Sequence, residues 1–290
     1  MRYQVTHTTR YTYEAPVTQC LSEVRLTPRA LPYQKVHESD LRVDPQPASF
    51  DHRKDYFGNE VTTFAVFEKH DRLVATATSV VEVRNHPAET VPAIAWDQAR
   101  DLLAEPNDGP LLEALEFIFD SPFVSTGRDL AEFARPSFPP GRPLAESLEE
   151  FSNRIHTEFR YQPKSTSIEM PLMEVLRTGQ GVCQDFAHVM IGGLRSLGLA
   201  ARYVSGYIRS GSGIQGAQAS HAWVAAFVPG SGWLSFDPTN GLIPSDGHIT
   251  LGWGRDYGDV TPVKGITLGV GGQVVEVEVF VKPLDALAAS

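Results

Sequence analysis

The sequence predicts an α+β fold in which an N-terminal antiparallel β domain precedes a core built from helices on an antiparallel sheet. Three observations predict it: apolar residues alternate through residues 2–84, two stretches between 144 and 198 carry a helical period, and alternation returns after residue 200. The expected division is residues 1–85 as the β domain, 86–143 as a helical connecting region and 144–290 as the core.

In the first region Tyr3, Val5, Tyr11 and Tyr13 share parity, as do Val24 with Leu26 and Leu41 with Val43. Such a period places one side of each strand inward. Asp55 to Val61 holds a Gly58-Asn59 turn between two strands, and Leu73 to Val83 reads as a closing strand. The connecting region is punctuated by Pro87, Pro92, Pro106, Pro110 and Pro122. Within it Leu111–Ile118 reads as helical, with Pro110 suited to the first turn. Arg135–Pro143 reads as a loop or linker. Leu144, Leu148, Phe151, Ile155 and Phe159 then share one helix face, with Pro163 and Ser165 beyond its end. A second helix starts near Cys183, carries Ala187, Met190, Ile191, Leu194 and Leu197, and meets a C-terminal cap at Gly198. Strands follow over Ala200–Ile208, Ala219–Val228, Trp233–Phe236 and Val274–Val281, with a flexible loop over Gly211–Gly216.

Composition narrows the function classes. The 290 residues are 42% hydrophobic and 21% charged, enough for a sizeable core. No apolar run reaches the length of a membrane span, and the first residues lack the apolar core of an export signal. A cytoplasmic protein without membrane contact is therefore expected. The net charge of -10 and the absence of a basic block argue against nucleic acid as a partner. Two cysteines make neither a disulfide framework nor a cysteine-rich zinc site. Cys20 reads as a packed thiol. Nine histidines are scattered without a His-Glu-x-x-His pair, and no EF-hand loop occurs. Neither a metal nor a cofactor is expected.

The chemistry concentrates in three short runs: Gly181 to His188 around Cys183, Ser220 to Trp223 around His221, and Phe236 to Thr239 around Asp237. A free thiol has a pKa of roughly 8.5, and a helix N-terminus or a nearby imidazolium lowers it. Cys183 is predicted to have both. Gly179 and Gly181 let the chain turn just before it. Pro229–Gly232 reverses the chain, so the strand ending at Asp237 runs back beside His221. Asp237 would then hold the imidazole tautomer. Each residue alone also has a plain reading: packing for the cysteine, a satisfied polar group for the histidine, a turn for Asp-Pro. Secondary candidates are Tyr161 as a second oxyanion donor, Gln184 as a site-shaping residue and Trp223 as a cleft wall. A buried tyrosine at a helix end is the favoured reading of Tyr161, and Trp223 in a strand reads equally as core. Asp185 suits the helix dipole, His188 a structural hydrogen bond, and Arg255–Tyr257 an ion-pair cluster.

These runs resemble the bacterial transglutaminase-like family, whose members are described as cysteine proteases with a papain-like core. Leu194–Tyr207, Gly232-Trp233, Phe236–Asn240, Gly254–Val260 and Tyr56–Asn59 extend the resemblance, which is weakest over 85–143. It implies Cys183 as nucleophile, His221 as general base and acid, and Asp237 as the orienting carboxylate. It also implies a thioester formed from a peptide or protein amide. Water is the favoured acceptor because no acceptor site is visible. The alternatives are transfer to an amine, and a catalytically silent module that holds peptide in the same cleft.

Overall fold

The computed structural model describes residues 1–85, 91–162, 170–211, 213–269 and 271–284. Pro87, Pro163, Ser165 and Ser212 of the predicted breaks and loop lie outside them. Six strands come first: β1 (Arg2–Val17), β2 (Gln19–Val24), β3 (Gln34–Asp44), β4 (Ser49–Lys54), β5 (Glu60–Val66) and β6 (His70–Val83). Helices and two short strands follow: α1 (Trp96–Ala104), α2 (Gly109–Leu115), α3 (Arg128–Ala134), α4 (Leu144–Glu158), β7 (Arg160–Tyr161), α5 (Leu172–Thr178), β8 (Gln180–Gly181) and α6 (Cys183–Ser196). The chain then returns to strands: β9 (Ala201–Ile208), β10 (His221–Val228), β11 (Gly232–Phe236), β12 (His248–Gly254), β13 (Val263–Leu268) and β14 (Gln273–Pro283).

Two four-stranded antiparallel sheets, ordered β14-β1-β6-β3 and β13-β2-β5-β4, enclose a common core. The parity of β1 explains its place: Tyr3, Val5, Tyr13 and Val17 point inward to meet Cys20, Val24 and Phe64. Cys20 is buried there beside Ser22, as a packed thiol. The Gly58-Asn59 turn joins β4 to β5 in register Arg53↔Val61. The third sheet, ordered β11-β10-β9-β12, carries α6 on one side. Ala222, Val224, Ala226 and Val228 of β10 pack with Phe186, Met190, Ile191 and Leu194 of α6. From the same sheet Tyr207, Ile249 and Leu251 enter the core of the β sandwich. The central sheet is thus covered on both faces, which is why all of β10 is buried.

The C-terminal strands reach back across the chain. β13 pairs with β2 and β14 with β1, so the last strands complete the N-terminal sheets. Alternation of Val275, Val277 and Val279 announces a strand, but the open edges of β1 and β2 decide where it docks. Among the described residues the helical connecting region holds α1, α2 and α3, of which the sequence singled out the segment around Leu111. There α2 ends at Leu115 and a 3₁₀ turn continues over Glu116–Ile118.

Asn59 joins the sandwich to the central sheet. Its Oδ1 accepts from Arg29 and from Trp253 N–H at 2.8 and 3.0 Å, and its Nδ2 donates to Asp55 and to Trp253 O at 3.0 and 2.8 Å. A Cβ on Gly252 would sit 2.5 Å from Asn59 Oδ1, so the strand must carry glycine there. Beside this joint the guanidinium of Arg29 lies 3.6 Å from the Trp253 ring centre, and that of Arg202 lies between Trp253 and Trp233 at 3.9 and 4.2 Å. No described helix is long and apolar enough to cross a membrane. Asn59→Ala strands the Trp253 amide group and is expected to lower unfolding free energy by about 2–4 kcal/mol in denaturant titration. Lys69→Ala, at an exposed position, is expected to stay within about 0.5 kcal/mol of the parent.

Candidate active site

The segment before Cys183 is built to start a helix abruptly. Gly179 ends α5 with φ +62°, a left-handed position that glycine takes without strain. β7 and β8 then pair in parallel, with Tyr161 opposite Gly181, and Gln162 N–H donates to Gly181 O. The carboxylate of Asp185 reaches back to accept Val182 N–H at 2.8 Å. A Cβ on Gly181 would fall 2.6 Å from that same carboxylate oxygen, so this position must be glycine for the cap to close. The first intrahelical bond runs from Phe186 N–H to Val182 O, leaving the N–H groups of Cys183 and Gln184 outside the helix's own ladder. Cys183 is a free thiol, 8% exposed.

β10 and β11 form the expected hairpin, in register Val224↔Phe236 and Phe227↔Trp233. It carries Asp237 back to His221, and the Nε2 proton of His221 is donated to Asp237 Oδ2 at 2.8 Å. Both side chains have no solvent exposure. Asp237 Oδ1 accepts the backbone N–H groups of Thr239 and Asn240 at 3.0 and 3.2 Å, and Asn240 Nδ2 donates to Oδ2 at 2.8 Å. Burial alone would neutralise the pair. The Asp237 charge, its hydrogen bond and then Cys183 outweigh it and push His221 up to about 10. Burial likewise opposes the charge on Asp237, but His221 and His248 hold its carboxyl far below the usual range.

Among the described residues the Nδ1 of His221 has no formed hydrogen bond. Cys183 nonetheless contributes to the ring's basicity. The thiol therefore lies within reach of the ring. Gly216, at φ +82°, passes over the same edge; a Cβ there would lie 2.7 Å from Nδ1. The loop around it is anchored at its C-terminal side. Gln215 N–H donates to Asn240 Oδ1 at 2.8 Å, and Val279 N–H donates to Gln218 O at 3.2 Å.

Tyr161 is half-buried against Phe186, and burial followed by the charge of Cys183 pushes its hydroxyl up to about 12. Gln184 is half-exposed in the first turn of α6. Trp223 is 2% exposed and packs edge-on to His248 at 5.4 Å, so it underlies the imidazoles and forms no open wall. Gly206 makes room for it: a Cβ would sit 2.4 Å from the Trp223 ring. His188 has a structural place, its Nε2 accepting Tyr257 N–H at 3.2 Å, and burial pushes its pKa down to about 4. Arg255 pairs with Asp259, while Asp256 accepts Phe123 and Gly258 N–H groups.

The site also contains His248 and Asn240, which the sequence reading left out. Asn240 follows directly on the Phe236–Thr239 run, so its proximity was available. His248 gave no signal, since only the pairing of β12 with β9 brings it across from His221. The donor atoms of His221, Asp237 and His248 lie within 4.8 Å of one another. Yet Asp237 already receives donors on both oxygens, which makes the set a closed hydrogen-bond network and not an open cation cage. Gly181→Ala is expected to cost about 1–2 kcal/mol by opening the Asp185 cap. Gly109→Ala, with nothing within 4 Å, provides the neutral control in the same thermal melt.

Two family profiles match the chain. Residues 3–82 match the bacterial transglutaminase-like N-terminal region, and residues 133–238 match the transglutaminase-like superfamily. An uncharacterized protein of Mycobacterium tuberculosis, Rv2569c, is 38% identical over 99% of this chain and 95% of its own. A protein-glutamine gamma-glutamyltransferase of Pseudomonas aeruginosa is 29% identical over 40% of this chain and 18% of its own. A solved structure from Cytophaga hutchinsonii, described as "a Putative Cysteine Protease", superposes with TM-score 0.75 at 21% identity, over 98% of this chain and 92% of that one, and so shares the fold. The chain belongs to the transglutaminase-like superfamily, with the bacterial N-terminal β region ahead of the core.

Proposed function

We propose that the protein is a cysteine-dependent acyl-transfer enzyme that opens a peptide or protein amide through a thioester and passes the acyl group to water. The observation that carries this reading is the fully buried 2.8 Å bond between His221 and Asp237, set beside a thiol at a helix N-terminus. Cys183 Sγ, as the thiolate, attacks the carbonyl carbon while His221 is the imidazolium. The resulting oxyanion accepts the N–H of Cys183. The C–N bond breaks as His221 Nδ1 gives its proton to the leaving nitrogen, and the thioester remains. Neutral His221 then takes a proton from water, whose oxygen attacks the thioester carbon. The C–S bond breaks, releasing the acid and restoring thiolate and imidazolium. Tyr161 and Gln184 line the first turn where that oxyanion develops. Partial similarity to the Pseudomonas aeruginosa transferase supports a second reading, in which an amine replaces water in the last step.

Incubation with a mixed peptide and amine library, followed by intact mass, separates these readings. A Cys183-bound acyl group that water removes supports hydrolysis, and amide products formed with the added amines support transfer. Cys183→Ala is expected to abolish the adduct while the protein stays folded; full activity in that variant would end the proposal. A silent binding module would hold peptide without any adduct.

The buried pair also sets a pH dependence of stability. His221 is raised from about 6.5 in the unfolded chain to about 10, so its contribution is full below about 6.5 and is lost as pH rises through about 10. Asp237 is depressed, so its contribution is full above the ordinary carboxylate range and is lost as pH falls toward its folded value. The stability gap between the parent and His221→Gln is therefore expected to be constant from pH 5 to 6.5 and to shrink steadily up to pH 10 in urea titrations.

A further inference from the structure

His248 reaches the proposed site from the opposite side of β9. Its Nε2 lies 3.3 Å from Asp237 Oδ2, the same oxygen that binds His221. Ser245 N–H points at its Nδ1 from 3.4 Å, and a backbone N–H can only donate. The ring proton therefore sits on Nε2, aimed at the carboxylate. The ring is 5% exposed, held by the edge of Trp223 and by the turn that His248 N–H closes onto Ser245 O at 3.0 Å. Asp237 Oδ2 thus accepts three side-chain donors, from His221, Asn240 and His248, while Oδ1 accepts two backbone N–H groups.

A carboxylate has about four lone-pair sites, and each donor it accepts lowers its basicity. Donors that share Oδ2 compete. An imidazolium held by an unshared carboxylate would keep its proton too firmly to pass it to a leaving amine. We infer that His248 is a positioning residue that draws on Asp237 Oδ2 and so limits how strongly the carboxylate stabilises the His221 imidazolium, and with it how firmly the ring keeps its Nδ1 proton. This rests on the cysteine-dependent acyl-transfer reading and deepens it. Among the described residues, Cys183 at the start of α6 and His156 of α4, whose Nδ1 donates to Thr239 O at 2.8 Å, are further titratable groups around the pair.

The test compares His248→Phe, which keeps a ring against Trp223 but loses the donor, with His248→Gln, which can still donate. Ring ¹⁵N shifts of labelled histidine report charge and tautomer for each residue. In the parent, His248 is expected to show the neutral Nε2–H form and His221 to stay charged well above pH 7. In His248→Phe the His221 midpoint should move up by about half to one pH unit, as the loss of one modest hydrogen bond allows. Amide turnover should fall several-fold in kcat with KM little changed, and His248→Gln should restore both. A His221 midpoint in His248→Phe equal to the parent's or below it, or a His248→Gln midpoint shifted as far as that of His248→Phe, would overturn the inference. A parent His221 that titrates near 6.5 would instead remove the acyl-transfer reading, and this inference with it. Thermal melts identify a variant that fails to fold; if His248→Phe fails, a parent His248 in the Nδ1–H form or charged at pH 7 still refutes the inference.

Discussion

A hydrogen bond between two ionisable groups with no access to water anchors this molecule. Moving either His221 or Asp237 alone into that environment would cost several kcal/mol. Together they are tolerable because the surroundings finish the job: two backbone N–H groups, Asn240 and His248 take up the remaining capacity of the carboxylate. Much of the nearby architecture serves this arrangement. The β10–β11 hairpin brings the partners together, the turn after Phe236 supplies the backbone donors, and Gly206 leaves the space for Trp223 beneath them.

The two halves of the chain depend on one another. The central sheet has α6 on one side and the β sandwich on the other, and β13 and β14 return from the core to close the sandwich edges. Val279 N–H, on the outer edge of β14, also holds Gln218 of the loop that passes over His221. β14, an edge strand of the sandwich, thereby contacts the loop over the candidate site. Asn240 links the same loop to Asp237, so one side chain couples the cover of the site to its carboxylate.

What was legible in the sequence was local. The period from Leu144 to Phe159 and the start of α6 at Cys183 depend on neighbours a few residues away, and the Pro229–Gly232 reversal makes the His221–Asp237 approach a short-range event. The destinations of β13 and β14 were not legible, because a strand's alternation does not name its partner. His248 was hidden for the same reason: one histidine before Ile249 reads as ordinary until β9 sets it beside the pair. Trp223 shares parity with His221, as read, but parity does not say whether a face meets solvent, and here it meets the core.

The most direct measurement is the pH dependence of Cys183 alkylation by iodoacetamide, with Cys20 as the internal comparison in the same chain. The account predicts that Cys183 reacts at pH 6 much faster than an ordinary thiol, that His221→Gln removes this advantage, and that buried Cys20 stays inert. A Cys183 that reacts only above about pH 8, with the profile of a free thiol and no change in His221→Gln, would contradict it.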